Sequence, residues 1–210
     1  MPHESPLRLR VLIGLRVAGL VETDDLADLT GLSDVQAVRA LEAARVEHQV
    51  VRMEGSRTSG WQLTDEAEPD VRRQAQADSQ DAGATEVLAA ATETFLGLDD
   101  QVLEVVRHWS WKDGGPRAND HADEQYDHKV VQSLVDVHHD IAEVCATVSA
   151  AVDRFGPYGV HLHAAVEHVL AGRSDWIDGD QVRSYARVAG WLRDDLLIST
   201  GRWPEGVRGR

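Results

Sequence analysis

One cysteine, Cys145, stands in the 210 residues, so no disulfide can close within a chain, and a reducing, cytoplasmic setting is the expectation. Long apolar runs are missing as well. Nothing approaches the roughly 18 to 20 residues that a helix needs to cross a bilayer, so no membrane partner is expected. The opening Met1-Pro2-His3-Glu4-Ser5-Pro6 lacks the charged-then-apolar layout of a secretory signal. No glycine loop for phosphate, nucleophile elbow or HExxH pair is found, nor a Glu-x-x-His pair repeated across helices. Without these signatures the chain reads as a non-enzyme with no resident cofactor. Internal repeats of fixed period and low-complexity tracts are also missing.

Positive charge is scarce. The formal net charge is −15, which argues against nonspecific coating of nucleic acid. The deficit is uneven: residues 1–65 hold seven arginines and no lysine against ten acids, a net −3, which leaves −12 for the remainder. A DNA reader built on that first part depends on a few placed arginines and on helix N-termini.

What the chain does have is a run of changing periodicity from Glu22 to Glu68. Thr23 to Thr30 is helical in pattern, with Leu26 and Leu29 three apart and Thr23 placed to cap the first turn. Gly31-Leu32-Ser33 reads as a tight turn into a second cap. Val35, Val38, Leu41 and Ala44 then recur at helical spacing as the inward face of a helix ending near His48. After it, Val50-Val51-Arg52-Met53 and Trp61-Gln62-Leu63-Thr64 are strand-like runs about a polar tip, Glu54 to Gly60. Leu7 to Leu20 precedes all this as an amphipathic helix with Leu9, Leu12 and Ile13 on one side and Arg8 and Arg16 among its polar positions.

The phrase DDLADLTGLSDVQAVRALEAARVEHQVV with its GW-LT ending resembles the DNA-binding half of bacterial MarR-like and PadR-like winged helix-turn-helix regulators. The resemblance covers residues 7 to 68. It implies that the second helix of the pair enters the major groove and that the ribbon lies along the backbone or minor groove. Candidate DNA-contacting residues are then Ser33, Asp34, Gln36 and Arg39, together with Arg52 on the ribbon and Arg57 at its tip. Gln pairs with adenine's edge and Arg with guanine's, while Ser serves either a base or a phosphate. Ala37 is also expected to face outward. Asp34 has the plainer role of complementing the helix dipole, and Trp61 reads as a packing residue.

Beyond the ribbon, residues 69–82 are polar and read as a linker or exposed helix. Residues 83–202 read as an all-α helical bundle of four helices that dimerises and binds an effector. The first is expected from Ala82 to about Trp109, with Val87, Leu88, Phe95 and Val102 on its stripe and Gly97 as a possible bend. The second runs from Ala122 to Arg154 with Val131, Leu134, His138, Ile141 and Cys145 inward. The third runs from Gly159 to Ala171, with Leu162, Val166, Val169 and Leu170 inward. The last runs from Asp180 to Thr200, with Val182, Tyr185, Val188 and Leu192 inward. Residues 203–210 read as a loose tail. The predicted architecture is therefore mainly α: a winged module at 1–68, then the bundle.

The least generic stretch is His108 to His121, where two tryptophans precede a Gly-Gly-Pro break and an Asn-Asp-His group. Asn119 or Asp120 is expected to cap the following helix. With the aromatic side chains of the bundle, it suggests a pocket for a small organic effector, for which the candidates are Trp109, Trp111, Asn119, His121, Tyr126, His138, Tyr185, Arg187 and Trp191. His121 and His128 stand seven apart, as do His161 and His168, so each pair is a weak metal-ligand candidate, although a site needs about three or four convergent ligands. Cys145 on an apolar stripe reads as an inert buried thiol. The leading expectation is a ligand-responsive homodimeric transcriptional regulator binding double-stranded DNA at an inverted repeat. The rivals are a metal-dependent enzyme with an accessory winged helix and a protein-interaction adaptor.

Overall fold

Pro6 leads into α1 (Leu7–Ala18), and eight of its twelve residues are buried, Arg16 among them. That makes α1 a central helix rather than the one-sided amphipathic helix its charges suggest, because Arg16 reaches Glu68 at 3.0 Å and lies 4.7 Å from the Trp203 ring. The computed structural model describes residues 1–55, 59–180 and 183–203. Gly19 ends α1 at φ 79°, a left-handed conformation. The chain then enters α2 (Thr23–Thr30), which closes on Gly31 at φ 63°. Gly14 permits the close approach of α1 and α2, since a Cβ there would stand 2.8 Å from both Leu26 and Thr30 side chains. Thr23 is not the cap of α2: Glu22 precedes the helix, and the Thr23 hydroxyl instead accepts the Trp61 indole N–H at 3.1 Å.

Ser33 caps α3 (Asp34–Val46) in a reciprocal box with Gln36. The inward face of α3 is Ala37, Ala40, Leu41 and Ala44. Val35 and Val38, expected inside, are 72% and 48% exposed, and Ala37, expected outside, is fully buried. Small residues on the inner face let α3 lie close to α1, and that turns the valines outward. The strands β1 (Val50–Glu54) and β2 (Ser59–Leu63) pair antiparallel with Val50 opposite Leu63 and Arg52 opposite Trp61. Val21 bridges to Trp61, which lays the ribbon against the start of α2.

Residues 68–81 form α4 (Glu68–Asp81), whose Val71, Ala75, Asp78 and Ser79 are buried. The segment expected as a linker or exposed helix is therefore a packed element, joined to the first apolar core through Val71 and Ala75. The second core is built by α5 (Thr85–Ser110), α6 (Glu124–Ala151), α7 (Gly156–Leu170) and α9 (Tyr185–Ser199), with the short α8 (Asp175–Asp178) at one end. This is the mainly helical arrangement expected, with one two-stranded sheet among the described residues. α5 passes Gly97 without a break. Its stripe holds Leu88, Ala91, Phe95, Leu98, Val102 and Val105 inside, while Val87 is exposed. Leu170, expected inward, is 57% exposed at the end of α7. Val182 lies outside the described residues.

The two cores are not separate bodies. Leu29 of α2 belongs to the core of the bundle, Ile198 of α9 belongs to the first core, and Trp191 packs against both. A buried polar network fastens the joint. The Arg154 guanidinium reaches Asp78 of α4 at 2.6 Å, Asp195 of α9 at 3.4 Å and Ser199 at 2.6 Å. Tyr158 donates to Asp195 at 3.1 Å, and Ser5 and His3 reach Asp78 at 2.8 Å each. Burial and the neighbouring Asp195 carboxylate push the Tyr158 phenol well above its usual range. Among the described residues no helix is long and apolar enough to cross a membrane.

Candidate functional site

The first candidate surface is the outer face of α3 with the ribbon. Ser33 and Gln36 are occupied with each other: the Ser33 backbone N–H donates to Gln36 Oε1 at 3.0 Å and the Ser33 hydroxyl to the same oxygen at 2.9 Å. Their side chains hold the helix start in place of a base edge. Asp34 follows in the first turn, where a carboxylate complements the helix dipole. Arg39 is exposed and makes no ion pair or hydrogen bond among the described residues. The other described arginines of this region are paired: Arg8 with Glu47 (2.5 Å), Arg10 with Asp153 (3.1 Å), Arg45 with Glu42 (2.9 Å) and Arg52 with Glu22 (2.8 Å), as well as Arg16 with Glu68. Hydrogen bonds from Ser59 and from Arg52 hold the Glu22 carboxyl below its usual range. Arg57 lies outside the described residues. Val35, Val38 and Val46 are exposed on α3, and Val51 and Met53 on β1.

The nine candidate effector residues do not share one pocket. The first group gathers at the junction of α5 and α6. Asn119 is buried and donates to the Trp109 carbonyl at 3.1 Å and to Asp127 Oδ1 at 2.7 Å. Its own Oδ1 accepts from the His121 backbone N–H at 3.2 Å. His121, at φ 55°, packs its ring 4.4 Å from Trp109 and sets Nδ1 3.0 Å from Asp127 Oδ2. A carboxylate on Nδ1 fixes the ring, and Nε2 has no partner among the described residues, so this nitrogen is open to a hydrogen-bond partner from outside. Neither Asn119 nor Asp120 caps α6; Asp123 does, by accepting from the Tyr126 N–H at 3.1 Å. The Tyr126 hydroxyl closes the loop instead, receiving the Asp113 N–H at 2.7 Å and donating to the His108 carbonyl at 3.2 Å. Trp111 stands 46% exposed, its backbone bridged to Ala118. Beside this junction an open groove of about 370 Å³ runs between α5 and α6 past His108, Tyr126 and Val130.

His138 and Tyr185 form a second, separate pair, Nδ1 to hydroxyl 3.2 Å, with the His163 ring stacked 5.8 Å away. Burial, with help from His163, moves His138 below its usual range, and burial moves Tyr185 upward.

Arg187 and Trp191 belong to a third place, an open cleft of about 890 Å³ between α1–α2 and the α7–α9 side of the bundle. Arg183 spans it, bonded to Asp25 at 3.0 Å and to Asp28. His161 stands 3.2 Å from the Asp28 carbonyl, and burial lowers its pKa. Asp25, Asp28 and Arg183 escaped sequence reasoning because 158 residues separate Asp25 from Arg183, and no local pattern joins them.

The histidine pairs do not converge. His121 precedes α6 in a left-handed turn, so it shares no helix face with the exposed His128. His161 faces α2 while His168 packs on Trp176, ring centroids 3.7 Å apart. Among the described residues no group of three His, Cys, Asp or Glu side chains is placed to hold a metal ion. Burial pushes the Cys145 thiol up to about 12, so it stays protonated near neutrality.

No family model, no curated protein and no solved structure matches this chain. Function is therefore argued from these surfaces alone.

Proposed function

We propose that residues 1–68 act as a winged helix-turn-helix that reads double-stranded DNA, and that the protein is a cytoplasmic homodimeric transcriptional regulator responsive to a small molecule. The observation that carries this reading is Arg39: an exposed guanidinium, without a partner among the described residues, on the outer face of a helix whose start is fixed by its own capping box. Arg in that position suits the O6 and N7 acceptors of guanine, and the exposed methyls of Val35 and Val38 suit the thymine methyl. The exposed pairs of Arg45 and Arg52 are worth about 0 to 1 kcal/mol each, so phosphates can compete for them. One module reads few base pairs, and a twofold pair of modules reads an inverted repeat.

A second reading has its own observation. Most described arginines of the module are already neutralised, and five apolar residues, Val35, Val38, Val46, Val51 and Met53, are exposed on α3 and β1. An adaptor that binds another protein through this face fits that balance. Titration of the purified protein onto its own upstream DNA at increasing salt separates the two. Specific binding that weakens with salt and with Arg39→Ala supports the regulator, whereas absence of binding at low salt supports the adaptor.

A further inference from the structure

We propose that the cleft between α1–α2 and the bundle binds a small amphipathic organic cation, an aromatic body carrying one delocalised positive charge. Its volume, about 890 Å³, lies within the range of small-molecule sites. Its floor is apolar: Ala18 and Leu29 stand beside Trp176 and Trp191, both half-buried. Indole faces are the strongest side-chain partners for an organic cation, and they stack on flat rings with little loss of conformational freedom.

The rim decides the sign. Glu22 is answered by Arg52 at 2.8 Å, and Arg187 has Asp180 at 3.3 Å, which is 92% exposed in its side chain. Asp25 and Asp28, 67% and 59% exposed, are answered among the described residues by Arg183 alone, which leaves one negative charge. An anion would have to displace Asp180 from Arg187 while facing those two acids; a cation meets two carboxylates that share one guanidinium. A cation seated there competes with Arg183 for Asp25 and Asp28 and so loosens the ion pair that holds α2 to the bundle. Binding itself stands independently of DNA recognition. Only the further consequence, a displaced α3, rests on the proposed regulator.

The test is isothermal titration of the full chain with rhodamine 6G, a flat aromatic cation, and with anilinonaphthalene sulfonate, an anion of similar apolar character. Saturable binding of one rhodamine 6G per chain is expected, with the sulfonate about tenfold weaker or more. The double variant Asp25→Asn/Asp28→Asn should weaken rhodamine 6G about tenfold, whereas Arg187→Glu should tighten it. All three positions are on the rim, and melting curves check that the variants fold. An affinity for the sulfonate equal to that for the cation, no binding of rhodamine 6G, or an affinity untouched by Asp25→Asn/Asp28→Asn would each overturn the proposal. Loss of DNA binding would leave these titrations unchanged, so the two readings fail separately.

Discussion

Arg154→Met is the most informative perturbation of the fold. Arg154 is 4% exposed, and among the described residues its guanidinium is the only arginine or lysine group bonded to Asp78 and Asp195, themselves 5% and 1% exposed. Methionine approximates its length without the charge. In the variant Asp78 keeps His3 and Ser5, but Asp195 keeps only the hydroxyls of Tyr158 and Ser199, which donate without neutralising it. Leaving a buried ion without its counter-charge costs about 3 to 5 kcal/mol. A domain of this size has a total stability of about 5 to 15 kcal/mol, so the loss is a large share. The assay is urea unfolding followed by circular dichroism at neutral pH. Arg154→Met/Asp195→Asn should recover part of the loss at neutral pH, since the two sites share one network. A deficit under about 1 kcal/mol at neutral pH, or one that Asp195→Asn leaves wholly unrelieved, refutes the reasoning.

Further outcomes follow from other elements. His138 and His161 have folded pKa values lowered chiefly by burial. Their contribution to stability is present above the unfolded value, about 6.5, and lost as pH falls through the folded values, so the melting temperature should drop as pH falls below about 6.5. His138→Gln/His161→Gln should flatten that slope; an unchanged slope would assign it to other groups. His139, His163, Glu167 and Tyr185 are the titratable neighbours of His138, so single variants at those positions are the controls. Ser33→Ala removes the capping box of α3 and should cost about 1 kcal/mol by denaturant titration. A loss of less than a few tenths would mean that packing of Ala37 and Leu41 alone sets the helix start.

The alternation of helix and ribbon through residues 7–63 was legible because Gly31, Ser33 and the paired strand runs are local signals. The phase of α3 was not. Val35 and Val38 look like core residues beside Ala37 and Ala40, yet the short distance to α1 favours alanine there and leaves the valines outside. The polar run of α4 concealed its burial for a related reason: Asp78 and Ser79 are inside because Arg154, 76 residues away from Asp78, makes their interior position tolerable. Residues 203–210 read as a loose tail, but Trp203 lies over Arg16, and residues 204–210 are outside the description. The effector candidates were chosen by residue type, which cannot show that Asn119, His138 and Arg187 stand in three different places. Within the first group Trp109, Asn119, His121 and Tyr126 meet through the loop that joins α5 and α6, a short-range arrangement that the density of aromatic and polar residues there made legible.

The most direct test of the central claim is fluorescence anisotropy of a labelled fragment of the protein's own upstream DNA, titrated with wild type and with Arg39→Ala across a salt series. The account predicts saturable, sequence-dependent binding that falls with salt, weakened by about 1 to 3 kcal/mol in Arg39→Ala. Wild-type binding that is absent at low salt, or binding that Arg39→Ala leaves unchanged, would contradict it.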